Sequence, residues 1–238
     1  MKLDILAFGA HPDDVELGCA ATIAKEVSLG KKVGIVDLTR GELGTRGSAE
    51  IRDKEASDAA NILGLTVREN LNFRDGFFKN DEMHQMEIIR IIRKYQPEIV
   101  LCNAVDDRHI DHPKGSDLVS DACFLSGLSK IETKFNEISQ SAWRPKVVYH
   151  YMQWKNIEPD FVVDVSGFVD IKMKAILAYS SQFYDPTTNE PETPITSKNF
   201  LDSVKYRGQD LGRLIGCDYA EGFTVERYLA VNSLADLK

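Results

Sequence analysis

The residues best equipped for chemistry fall in two short segments far apart in the chain. The first reads Ala10-His11-Pro12-Asp13-Asp14-Val15-Glu16 and the second Asp106-Asp107-Arg108-His109-Ile110-Asp111-His112. Three of the five histidines lie in them. A histidine and a carboxylate close together, with a second histidine far along the chain, suit a catalytic metal centre. Such a centre uses three protein ligands and keeps one position open for water. Adjacent aspartates in a turn point their carboxyls apart, so one can ligate a cation while the other reaches the water beside it. Pro12 fixes its own φ and biases His11 toward an extended backbone, which stiffens the turn. Each segment alone has a plainer reading. Asp13 or Asp14 could cap the next helix with Glu16 complementing its dipole, and His109 and His112 could be surface residues at another helix start. Taken together, each at the end of an expected strand, the two segments favour a metal site. Structural zinc is usually closed by four Cys or His ligands, so a mixed His/Asp set with a spare carboxylate favours catalysis.

Strands and helices must bring these segments together. Apolar runs at 3–9, 33–38, 66–73 and 98–103 read as strands. Helical spacing marks 15–29, 48–63 and 83–95, with Gly30, Gly64 and Pro97 placed where helices stop. Repeated β-α-β units of this length imply right-handed crossovers and a parallel sheet covered on both faces. The pattern loosens after residue 127, where strands are expected at 146–152, 161–165 and 223–230, and helices at 169–183 and 197–215. Residues 185–196 contain Pro186, Pro191 and Pro194 and read as a long functional loop. The expected fold is α/β: a Rossmann-like, mostly parallel sheet flanked by helices, with a looser C-terminal α+β portion, in one domain spanning 1–238. Open α/β sheets bind ligands at the carboxyl ends of their strands. The two chemical segments follow the first and fourth strands.

Composition narrows the class. The chain has 238 residues, 43% hydrophobic and 9% aromatic, which is globular and sufficient for a core. A net charge of −8 argues against a nucleic-acid partner, which needs a basic footprint. Cys19, Cys102, Cys123 and Cys217 are scattered without a CxxC and read as reduced thiols, so a cytoplasmic location is expected. The N-terminus shows no signal-peptide pattern, and no apolar run approaches the roughly 20 residues of a membrane span. A nucleotide-binding reading would want G-x-G-x-x-G after the first strand. Gly9-Ala10-His11-Pro12-Asp13-Asp14 stands there instead, with acidic residues where a pyrophosphate would sit.

His11-Pro12-Asp13-Asp14, together with His109-x-Asp111-His112, resembles the metal-dependent N-acetylglucosamine deacetylases of the LmbE-like/PIG-L superfamily. Within it, His-Pro-Asp-Asp-Val-Glu, Ser181-Gln182-Phe183 and Tyr219-Ala220-Glu221-Gly222-Phe223 look most like the bacillithiol-pathway deacetylase. That enzyme removes acetate from N-acetylglucosaminyl-malate. The resemblance implies that His11, Asp14 and His112 bind Zn2+ (or Fe2+ or another divalent metal) and that Asp13 is the general base. It also implies that His109, positioned by Asp111, stabilises the oxyanion or donates a proton. A carboxylate beside an imidazole raises its pKa, so His109 is expected to be cationic. Another N-acetylglucosamine conjugate or a chitobiose-like sugar is the alternative substrate. Family analogy suggests a homo-oligomer, and the apolar stretch 122–128 is a candidate contributor.

Arg52 matches a substrate-binding arginine of the family; otherwise it is a solvated helix charge beside Glu50 and Glu55. Arg108 is a second candidate for a substrate carboxylate. Arg46 and Arg207 are weaker versions of the same idea, and Glu42 or Thr45 could touch sugar hydroxyls. His84 reads as a cap or surface residue and His150 as structural. Trp143 and Trp154 could stack on a sugar, although such aromatics are more often core.

Overall fold

The computed structural model describes residues 1–236. In chain order it places β1 (Ile5–Gly9), α1 (Asp14–Ser28), β2 (Val33–Thr39), α2 (Ala49–Leu63), β3 (Val67–Phe73), α3 (Glu82–Tyr95) and β4 (Ile99–Cys102). There follow α4 (Asp111–Leu125), a small hairpin of β5 (Lys134–Phe135) and β6 (Ile138–Ser139), β7 (Val147–Tyr151), β8 (Phe161–Asp164), α5 (Val169–Leu177), α6 (Lys198–Ile215) and β9 (Ala220–Val225).

Among the described residues seven strands form one sheet in the order β3-β2-β1-β4-β7-β9-β8. Its first five strands are parallel; β9 runs antiparallel to β7 and β8. Strands β1 and β2 are buried along their whole length, as in a sheet covered on both faces. One core cluster joins α1, α2 and α5 to the sheet through residues such as Ile23, Ala59 and Ile176. The other joins α3 and α4 through Ile88, Ile92, Leu118 and Val119. The chain winds outward from β1 to β3, then returns to lay β4 on the other side of β1. The crevice beyond the carboxyl ends of β1 and β4 is therefore the topological switch point, where such sheets bind ligands.

The α/β expectation holds, with local corrections in the C-terminal half. The last strand is Ala220–Val225 rather than 223–230, because it pairs with β7 and with β8, where Phe161 faces Phe223. The helix expected at 169–183 ends at Leu177. Beyond it Tyr179 turns inward, fully buried, with its hydroxyl donating to Glu16 at 3.0 Å. Helix α4 runs fifteen residues from Asp111, with Pro113 and Gly115 in its first turns. Proline is tolerated there, since the first helical amides lack partners anyway. All four cysteines are free, and among the described residues no helix is long and apolar enough to cross a membrane.

Candidate active site

The first turn is held by two strand ends and by the start of α1. Asn103, just past β4, accepts from the Ala10 amide at 2.9 Å and donates to Asp14 Oδ2 at 3.0 Å. Thr39, ending β2, donates to the Ala10 carbonyl from both its amide (3.0 Å) and its hydroxyl (2.9 Å). Asp14 closes the turn by accepting the His11 amide at 2.9 Å. Asp13 has φ 110°, a left-handed conformation that a non-glycine residue adopts at a cost. That backbone sends Asp13 and Asp14 in different directions.

Asp14 lies between two imidazoles, with Oδ2 3.5 Å from His11 Nδ1 and Oδ1 3.1 Å from His112 Nε2. The far nitrogen of each ring faces a further carboxylate. His11 Nε2 is 3.1 Å from Asp75 and 3.4 Å from Asp111, and His112 Nδ1 meets Asp107. This is the geometry of a carboxylate–histidine–metal arrangement, in which the outer carboxylate fixes the tautomer and turns the inner nitrogen's lone pair toward a cation. The donor set therefore fits a divalent metal held by His11, Asp14 and His112, with His109 at its edge. Ring nitrogens of His11, His109 and His112 come within 4.8 Å of one another. The neighbouring His11, Asp75 and Asp111 group is a buttress instead. Leu43 and Gly76 amides donate to its carboxylates at 3.0 and 2.7 Å, and Lys114 Nζ sits 2.6 Å from Asp111.

Burial pushes the Asp13 carboxyl up to about 7, with Arg52 opposing from 3.8 Å. His112 stands at about 9, because Asp14 and Asp107 outweigh the downward effect of burial. Asp14 is held well below the carboxylate range: burial alone would raise it, but His112 and His11 overcome that.

The expected pairing of Asp111 with His109 is corrected. The Asp111 carboxylate turns to the Gly76 amide, Lys114 and His11, while only its backbone amide reaches His109 Nδ1, at 3.3 Å. Residues two apart at a helix start do not face each other. His109 is lowered rather than raised, first by burial and then by His11 and His112. A neutral ring that accepts at Nδ1 carries its proton on Nε2, and His109 lines the cavity.

Arg52 is buried and does not pair with its helix neighbours. Its Nη2 donates to Gln182 and approaches Asp13, and its Nε has no partner among the described residues. Glu55 turns away to accept from Ser180 and Ser181. Arg108 is exposed at the mouth, 4.7 Å over the Trp154 ring, whose other neighbour is the stacked Phe200 ring at 5.4 Å. Arg46 instead holds the late loop, donating to the Pro191 and Glu190 carbonyls at 2.7 and 3.1 Å. Arg207 donates to the Gln153 and Trp154 carbonyls. Thr45 lines the cavity, whereas Glu42 accepts the Asp75 amide at 2.8 Å. Trp143 is structural, donating to the Pro97 carbonyl at 2.8 Å. His84 meets the helix-capping Asp81, and His150 is enclosed by Ser116, Asn103 and Glu226. Ser116 is fully buried, so that Ser–His–Glu chain offers no nucleophile to a substrate.

Sequence reasoning missed Asp75, Asp107, Asn103 and Gln153. Gln153 donates to Asp14 Oδ1 at 3.0 Å and accepts from Asn103 at 3.0 Å. Asn103, Gln153 and Asp75 each follow the carboxyl end of a strand, and that position is the signal that could have found them. Asp75, Asp107 and Gln153 border a cavity of about 1180 Å³ lined also by Met152, Ile195 and Leu211.

The GlcNAc-PI de-N-acetylase (PIG-L) family pattern matches residues 6–123. A diacetylchitobiose deacetylase of Thermococcus kodakarensis is 29% identical over 189 residues, which are 75% of this chain and 70% of that protein. The crystal structure of a conserved protein from Thermus thermophilus superposes with a TM-score of 0.84 at 35% identity, covering 97% of this chain and 98% of that one. The 4-carboxy-2-hydroxymuconate hydratase of Pseudomonas putida reaches a TM-score of 0.79 at 22% identity over 98% of this chain and all of that one, a likeness of fold alone. With the family pattern lying over both chemical segments and the likeness to solved relatives running nearly end to end, the chain belongs to the PIG-L/LmbE-like deacetylase superfamily.

Proposed function

We propose that this protein is a divalent-metal-dependent amide hydrolase that removes the N-acetyl group from an N-acetylglucosamine conjugate. N-acetylglucosaminyl-malate, the precursor in bacillithiol biosynthesis, is the substrate placed first. The carrying observation is Asp14 set between His11 and His112, each imidazole backed by its own carboxylate. Zn2+, or Fe2+ in its place, would be held by those three residues, and when bound supplies the Lewis acidity that an unreactive amide carbonyl needs. Asp13 takes the proton from the attacking water and returns it to the departing amine, work suited to a carboxyl near 7. His109 donates Nε2–H to the carbonyl oxygen as negative charge gathers there, a contribution of roughly 3 kcal/mol in comparable sites. Arg52 holds Asp13 and, with Arg108 at the mouth, offers guanidinium to the substrate's carboxylates. We read 1–238 as one deacetylase domain, cytoplasmic and homo-oligomeric, acting on a small molecule, with no nucleic-acid or membrane partner. Phe124, 58% exposed at the end of α4, supports an interface there.

The alternative substrate is another conjugate or a chitobiose-like sugar, which the name of the Thermococcus relative favours. Acetate release from the malyl conjugate, free N-acetylglucosamine and diacetylchitobiose separates these readings. The proposal expects the malyl conjugate to react far faster than the others. Equal rates would remove the malate assignment, and no release from any of them by the metal-loaded protein would remove the deacetylase reading.

A further inference from the structure

Helix α1 is broken near its start. Cys19 has φ −146° and ψ 22°, outside the helical region, and separates the turn Asp14–Gly18 from the rest. The ring of Tyr151 crosses at the break: a Cβ on Gly18 would overlap it, and its hydroxyl is fixed to the Phe8 carbonyl at 2.9 Å. A break in a helix creates a second N-terminus, whose first amides lack a carbonyl one turn back. A side chain at the N-cap normally satisfies the second or third of these amides. Counted from Cys19, they belong to Ala21 and Thr22, and a cysteine is not a capping residue.

Glu221 does the capping from a distant strand. Its Oε1 accepts from the Ala21 amide at 3.2 Å and its Oε2 from the Thr22 amide at 2.7 Å. Lys172 of α5 balances the charge at 2.6 Å, and both side chains are buried. The segment ahead of the break carries Asp14, with Asp13 immediately before it.

We propose that Glu221 is a positioning residue for Asp13 and Asp14: by capping broken α1 from β9, it holds the ligand-bearing turn off the axis of the remaining helix. This rests on the metal-site reading above. Without the carboxylate, the Ala21 and Thr22 amides must stay unpaired or turn back to the Leu17 and Gly18 carbonyls. The second course straightens α1 against Tyr151 and carries Asp14 away from the two histidines.

The test is Zn2+ affinity, measured by competition with a chromophoric chelator where urea unfolding shows each variant fully folded. Glu221→Gln keeps the size but replaces one acceptor by an NH2 group facing an amide donor. Lys172→Met/Glu221→Gln also removes the ammonium that would otherwise be buried alone, and serves if the single variant does not fold. Ile88→Val, in the core of α3, controls for destabilisation remote from the break. The expected result is weakening of roughly tenfold or more in the Glu221 variants, the scale of losing outer support for metal ligands, and wild-type affinity in Ile88→Val. Folded Glu221 variants that bind Zn2+ like wild type would overturn the proposal and leave the metal site standing. A wild-type protein that binds no Zn2+ would overturn both.

Discussion

Asp107→Asn isolates the outer support of His112, one of the three residues proposed to hold the metal. The Asp107 side chain is fully buried and accepts from two donors, His112 Nδ1 and the Lys155 amide at 2.8 Å. Asparagine keeps one acceptor oxygen. If that oxygen stays on Lys155, the new NH2 faces His112 Nδ1 and drives the imidazole to the tautomer protonated at Nε2. Nε2 is the nitrogen 3.1 Å from Asp14, so its lone pair is lost to a cation. The loss is one charge-assisted hydrogen bond to a buried partner, about 1.5–3 kcal/mol, or about a 10- to 100-fold weaker cation. Asp106→Asn is the matched control. Asp106 is two-thirds exposed and, among the described residues, held only by Lys155 Nζ, a surface pair contributing about 0–1 kcal/mol. Chelator competition with Zn2+ reads the affinity and urea unfolding reads the stability. Affinity in Asp107→Asn equal to that in Asp106→Asn, with both proteins folded, would refute the idea that the outer carboxylates tune this site.

Further outcomes follow from the same geometry. Asp13→Asn should keep stoichiometric metal by elemental analysis yet lose turnover by roughly two to four orders of magnitude; wild-type rates would show that Asp13 is not the base. His112→Ala should lose stoichiometric metal, and equal metal content would count against the ligand set. Gly41→Ala should cost about 1–2 kcal/mol at a left-handed position and impair turnover, because φ there is +63° and the added Cβ falls on the Arg52 guanidinium; urea unfolding and steady-state kinetics check both effects. His150 gives a pH signature: burial lowers it, but Cys102 and Glu226 outweigh that and raise it to about 11. A raised histidine contributes fully below its unfolded pKa of about 6.5 and loses that contribution progressively as pH rises toward the folded value. The stability gap between wild type and Glu226→Gln should therefore shrink as pH rises from the variant's lower folded value toward about 11, by at most about 1.4 kcal/mol per unit. A gap that stays constant would place His150 outside the coupling.

The sequence by itself determined the types of the candidate ligands and where in the fold they stand. His11 and Asp14 are three residues apart, and their turn closes on its own hydrogen bond, so local spacing suffices to recognise them. Strand runs buried on both faces made β1 and β4 legible, and with them the position of His109 and His112 beyond a central strand. Arg52 was legible only as a type of residue, because its burial depends on how α2 packs. The tertiary structure alone decided which carboxylate stands behind which imidazole. Asp75 and Gln153 arrive from β3 and β7, on opposite sides of β1 and β4, and strand order is not a local property. Asp111 changed partner from His109 to His11 because the helix start turns its carboxylate away from a residue two positions earlier. The short late strand slipped as well, since its register is set by pairing with β7 and β8 rather than by its own pattern. Local chemistry is written in neighbouring residues; the support behind it comes from strand ends that only the folded sheet brings together.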